Sequence, residues 1–173
     1  MISVYNWIDR KFEFGLPAWM FPNLLERLRG TPARIEDRVR VWPRELLTRR
    51  VNNKWSVHER IGHLLDVETL WSGRLDDFDA AAETLRAADM SNRKTEEANH
   101  NATSLDKLLR DFRASRDAFV RRIENYDEAA VLRTSLHPRL KTPMRLIDHI
   151  TFVCEHDDHE LAKMSELIAA LKH

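Results

Sequence analysis

Only four glycines and six prolines punctuate these 173 residues, and most of them fall where a run of 3.6-residue hydrophobic periodicity stops. A chain with so few breakers and such long helical patterns is expected to satisfy its backbone within helices. The fold class read from this is all-α, in one domain over residues 1–173. Hydrophobic residues make up 43% of the chain, enough for one sizeable core. There is no internal repeat, low-complexity tract or linker that would divide it.

The first long helix is predicted over Trp19 to Arg29, closing at Gly30. Thr31-Pro32 then reads as an N-cap and first position of a short second helix ending before Pro43. WSVHERIGHLLDVETLWSGRLDDF follows, with Ser56 and Glu59 as an S-x-x-E capping box. Its apolar row runs Val57, Ile61, Leu64, Trp71, Leu75, Phe78, and Glu68 is the one charge on it. From Ala80 to Asn101 the sequence is polar and aperiodic and is predicted as a long connection. Ser104 caps a third helix with Leu105, Leu108, Phe112, Phe119 and Ile123 on one side, ending near Asn125. A loop with His137-Pro138 leads to the last helix, from Pro143 onward. Its row is Ile147, Ile150, Cys154, Leu161, Met164, Ile168, Leu171, interrupted by Asp157. Four seamed helices joined in part by extended connections describe a four-helix bundle with a short accessory helix.

Polar ligands in such a bundle project inward from facing helices, which makes the stretch CEHDDHELAKM, residues 154–164, a candidate site. At about 100° per residue, His156 can chelate with either His159 or Glu160. The seam separates them. His159 lies almost opposite the line of Ile150, Leu161 and Ile168 and reads as a surface residue, while Glu160 lies about a quarter turn from that line, in a row with Val153, His156 and Leu167. His63 stands about a quarter turn off the seam of the capped helix, with Val67 and Leu70. His63, His156 and Glu160 thus form a three-ligand set with open coordination positions, as in catalytic zinc and facial-triad iron sites. The same spacing also suits a solvated or hydrogen-bonded group of side chains, and both readings stand at this point. Glu68 and Asp157 read either as acceptors for ligand imidazole N–H groups or as partners of arginines at a bundle rim. His58, in a first helical turn, and His100 and His137, in loops, read as surface residues. Cys154 reads as a buried small apolar residue.

Several segments resemble, in order, the DinB/YfiT-like superfamily of damage-inducible, metal-dependent bundle proteins. They are LLERLRGTPARIEDRV, WSVHERIGHLLDVE, NHNATSLDKLLRDFRASRDAF and HPRLKTPMRLIDHITFVCEHDDHELAKM. The resemblance implies a divalent metal, nickel or zinc foremost and iron or manganese next. It would be bound by a histidine of the G-H-L segment, here His63, and by an H-x-x-x-H pair, here His156 and Glu160. Glu160 departs from the usual histidine, and His159 is the alternative ligand. The resemblance further implies a small-molecule substrate and activation of a low-molecular-weight thiol such as bacillithiol or mycothiol, or of water, for transfer or hydrolysis. Homodimers are common among such proteins. A non-catalytic, stress-linked bundle with a degenerate metal site is the alternative, and Asn99 or His100 is a candidate polar contact in the pocket.

Charge and cysteine content narrow the partners. Lys plus Arg and Asp plus Glu both number 28, so no overall basic field exists to hold a phosphate backbone. Arg49, Arg50 and Lys54 read as a solvated surface, and no nucleic acid is expected. A single cysteine provides no intrachain disulfide and fits a reducing compartment, so a cytoplasmic location is expected. MISVYNWIDRKFEF lacks the pattern of a signal peptide, and no apolar run approaches the roughly 18 residues of a membrane span.

Overall fold

The computed structural model describes residues 2–171; Met1, Lys172 and His173, at the ends of the expected domain, lie outside them. The α-helices and strands in chain order are α1 (Phe21–Val39), α2 (Arg44–Leu47), α3 (Val57–Asp79), α4 (Arg93–Glu97), α5 (Leu105–Ile123), α6 (Glu128–Val131), β1 (Thr134–Leu136), β2 (Pro143–Arg145) and α7 (Leu146–Leu171), with 3-10 turns at Trp7–Asp9, Ala18–Met20 and His100–Ala102. The four long helices form a bundle in which α3 packs on α5 and α7, and α1 packs on the same two. Consecutive helices α1 and α3 therefore stand diagonally, an arrangement that the long connections 40–56, 80–104 and 124–145 allow. Among the described residues no helix is long and apolar enough to cross a membrane.

Local chemistry sets two of the helix starts. Ser56 Oγ accepts from the Glu59 backbone N–H at 3.2 Å, and the Glu59 carboxylate accepts from the Ser56 N–H at 2.8 Å, completing the capping box. Ser104 Oγ accepts from the Lys107 N–H at 3.3 Å.

The first helix departs from expectation. Gly30, Thr31 and Pro32 do not divide it: α1 runs through all three, with Pro32 inside. Thr31 does not cap, because its hydroxyl donates to the Asp157 carboxylate on α7 at 2.8 Å, and this distant partner overrides the local signal. The separate short helix expected after Gly30 is thus the second half of α1. Among the described residues the short α-helices are α2, α4 and α6 instead. The last helix also starts later than expected. Pro143–Arg145 pairs antiparallel with Thr134–Leu136, Ser135 opposite Met144, before α7 begins at Leu146.

The core has two apolar clusters. One joins Leu24 and Leu28 of α1 to Trp71, Leu75 and Phe78 of α3, Phe119 of α5 and Ile147 and Ile150 of α7. The other joins Ile35, Ile61, Leu64, Leu108, Phe112 and Met164. Between them lies a polar layer with one residue from each long helix: Thr31, Glu68, Arg116 and Asp157. Arg116 is fully buried; it donates to Glu68 Oε1 from Nη2 at 2.6 Å and to Asp157 Oδ1 at 3.0 Å. Glu68 and Asp157 therefore pair with an arginine, in the bundle interior and not at its rim. Burial is the main influence on the Glu68 carboxyl and pushes its pKa up, with Arg116 opposing.

Candidate metal centre

Beside the polar layer, α3 and α7 bring three donors together. His63 and His156 approach Nε2 to Nε2 at 3.3 Å. With Glu160 they form a buried group whose ligand atoms all lie within 4.8 Å of one another. The imidazole spacing fits a shared cation, because two nitrogens bound at about 2.05 Å with a tetrahedral angle between them stand about 3.3 Å apart.

The tautomer of His63 is set by its neighbours. Thr95 donates its single hydroxyl proton to the Asp66 carboxylate at 2.9 Å, so at its 3.2 Å contact with His63 Nδ1 it accepts. The proton then sits on Nδ1, and the Nε2 lone pair faces His156. Asp66 also accepts from His100 Nε2 at 2.8 Å, completing a relay that holds the His63 ring from behind. Burial tends to raise the Asp66 pKa, but the bonds from His100 and Thr95 win and hold it below the usual range. Burial pushes both His63 and His156 down to about 4, so both imidazoles are neutral, as ligands must be. His156 Nδ1 has no hydrogen-bond partner among the described residues.

Glu160 accepts from Arg60 Nη1 at 2.8 Å, an ion pair between largely buried side chains. His159 is half-buried, stands beside Trp7 at 5.4 Å between ring centroids, and is not among the three converging donors. The trio opens on a cavity of about 750 Å³ between α3, α7 and the connections. Trp7 closes one side, its ring edge-on to His156 at 5.0 Å, while Trp55 lies 4.8 Å from His63. Lys54, Lys94 and Lys163 also line this space.

Three histidines expected at the surface are buried. His58 is covered because segment 40–56 and the turn His100–Ala102 dock over the first turn of α3, through Arg44 to the Asn101 carbonyl at 2.8 Å and Ser56 to the Asn101 side chain at 2.7 Å. His100 lies against Gly62, where an added Cβ would come within 2.2 Å of its ring. It supports Asp66 and does not line the cavity. His137 Nδ1 accepts the backbone N–H groups of Arg139 and Leu140 at 3.2 and 3.1 Å, which seats the ring in the β1–β2 turn. Asp158 accepts from Arg34 at 2.7 Å. Cys154 is buried, and burial pushes its thiol up to about 12, so it is no nucleophile.

Gly62→Ala should expel the His100 ring and with it the support of Asp66. The expected loss is about 1–3 kcal/mol, the usual range for overpacking, read as a lower thermal midpoint. An unchanged midpoint would contradict the close approach.

Facing helices that present two imidazoles and a carboxylate at a pocket wall define a class of helical bundle with an inward ligand set. Within that class the family is plain: residues 27–164 match the family model of the DinB superfamily, and the chain belongs to it. Among solved structures it resembles YfiT from Bacillus subtilis, described as "a probable metal-dependent hydrolase with an unusual four-helix bundle topology". The TM-score is 0.75, with 16% sequence identity and 91% of each chain covered. At this identity the likeness is one of fold. No curated protein matches the chain.

Proposed function

We propose that this protein is a metal-dependent enzyme in which His63, His156 and Glu160 hold one divalent ion, zinc or nickel. The observation that carries this reading is the 3.3 Å approach of two neutral imidazole Nε2 atoms beside a carboxylate at the wall of a cavity. A divalent ion there would supply Lewis acidity, lowering the pKa of water or a thiol so that a nucleophile exists near neutral pH. Thr95 and Asp66 keep the His63 proton on Nδ1 and its lone pair toward the pocket. Arg60 orients Glu160 and offsets its charge. Trp7 and Trp55 screen the imidazoles from water, and three protein donors leave positions for a small-molecule substrate. Hydrolysis agrees with what is said of YfiT; thiol transfer agrees with the family resemblance read in the sequence.

The Arg60–Glu160 pair favours a second reading, a non-catalytic bundle in which the guanidinium stands where a cation would. Metal analysis and thermal denaturation of protein purified without added nickel separate the two. The enzyme reading expects close to one ion per chain. It also expects added zinc or nickel to stabilise the fold by about 2.7 kcal/mol at a concentration 100 times Kd, with both effects lost in His63→Ala. Substoichiometric metal, no stabilisation, or occupancy indifferent to His63→Ala would establish the second reading.

A further inference from the structure

Arg116 and Arg74 are both buried guanidinium groups, yet they are treated differently. Arg116 has two carboxylates. Arg74, only 1% exposed, makes no ion pair among the described residues: its Nε donates to the Arg86 carbonyl at 3.2 Å, its guanidinium stacks over Trp71 at 5.6 Å, and its Nη1 is buried with no partner. A buried charge without a counter-ion is costly, and proteins seldom keep one without a use. Two more residues that line the same cavity carry a buried donor without a partner. Arg139 has a buried Nη2 with no partner. Because His137 Nδ1 accepts two backbone N–H groups, its proton is on Nε2, which is likewise buried and unpartnered.

We infer that Arg74, Arg139 and His137 form a subsite for a carboxylate of the substrate, whose reacting end lies at His63, His156 and Glu160. This rests on the enzyme reading above and adds the substrate's chemical class. Three free N–H donors suit the acceptor positions of one carboxylate. An aromatic wall joins the two ends of the cavity: His156 to Trp71 at 5.6 Å, Trp71 to Phe152 at 6.1 Å, Phe152 to His137 at 5.5 Å between ring centroids. Arg74 lies three helical turns from His63, within about 20° of the same face and about 16 Å along the axis. The substrate is therefore elongated, with an apolar middle on Trp71 and Phe152 and an anionic tail. Burial, then the charges of neighbouring cations, pushes His137 down to about 4, and burial takes Arg74 down to about 10 although the Asp77 carboxylate opposes it.

The test is calorimetric titration with 4-phenylbutyrate and its uncharged amide, on protein as purified and after chelator treatment, since a bound metal could itself take a carboxylate. Metal-free protein should bind the acid about tenfold or more tightly than the amide. Arg74→Gln and Arg139→Gln should each bring the ratio near one while leaving zinc binding intact. His63→Ala should do the reverse, so failure of the subsite and failure of the metal centre are distinguishable. Arg139 lies in a half-buried turn, so its variant decides the matter if Arg74→Gln does not fold. Equal binding of acid and amide, no binding of either, or a preference that survives in the folded variants would overturn the subsite. Inorganic phosphate displacing the acid at lower concentration than acetate does would overturn its assignment to a carboxylate.

Discussion

Arg116→Leu is expected to cost more stability than any other single replacement of a charged residue in this protein. The substitution leaves Glu68 and Asp157 facing each other, 1% and 0% exposed, with no cation between them. Breaking a buried pair by removing one partner costs about 3–5 kcal/mol, and here one guanidinium serves two carboxylates. That is a large share of the roughly 5–15 kcal/mol that holds a domain together, so the variant should be largely unfolded at moderate temperature. Replacing the charges together, as Arg116→Met with Glu68→Leu and Asp157→Leu, should recover most of the loss, because well-packed apolar side chains often match a buried ionic group. Urea midpoints of the two variants provide the check. A single variant within about 1 kcal/mol of the parent would refute the account, since ordinary surface pairs lie in that range.

The second large effect is acid sensitivity. Burial, foremost, holds His63, His137 and His156 down to about 4 and His149 well below its ordinary value, and it lowers His58 and His159 too. In the unfolded chain these imidazoles titrate near 6.5. Between about 6.5 and 4 the unfolded chain binds protons that the folded one refuses. Stability is therefore full above that window and falls as pH decreases through it. One group displaced that far is worth about 3 kcal/mol by the bottom of the window, and the neighbouring pair His63 and His156 titrates jointly. Chelator-treated protein should show a urea midpoint that declines steadily from about pH 7 to about pH 5. A flat profile over that interval would mean the histidines are far more hydrated than their burial indicates.

The sequence was most informative where the physics is local. The Ser56–Glu59 box and Ser104 announce helix starts because both partners lie within one turn. The seams place four helices because apolar periodicity is itself the record of a shared core. Gly30-Thr31-Pro32 misled for the opposite reason: the Thr31 hydroxyl finds its partner on another helix. His58, His100 and His137 were misplaced because their cover comes from connections without periodicity, and the β1–β2 hairpin is too short to leave an alternating pattern. At the candidate site, helical phase put His63, His156 and Glu160 on inward flanks, and the structure brings their donors together. Thr95 and Asp66 lay hidden, since nothing near Thr95 in sequence pointed to α3. Arg74 was within reach of the same phase argument, eleven residues beyond His63.

The layer of Thr31, Glu68, Arg116 and Asp157 has a consequence for how this fold tolerates change. Sliding α7 along α3 by one turn, about 5.4 Å, would strip Asp157 from Arg116 and press a charge into the apolar cluster on either side. The helices are keyed to one another at the middle of the bundle by the contacts of Arg116 with Glu68 and Asp157. His156 adjoins Asp157 in the chain, and His63 lies five residues before Glu68, so the spacing of the two imidazoles is inherited from the core and not from the pocket. A pocket aligned from outside itself is free to vary. A glutamate at 160 in place of a third imidazole changes the charge offered to a cation without loosening the register of the helices that present it.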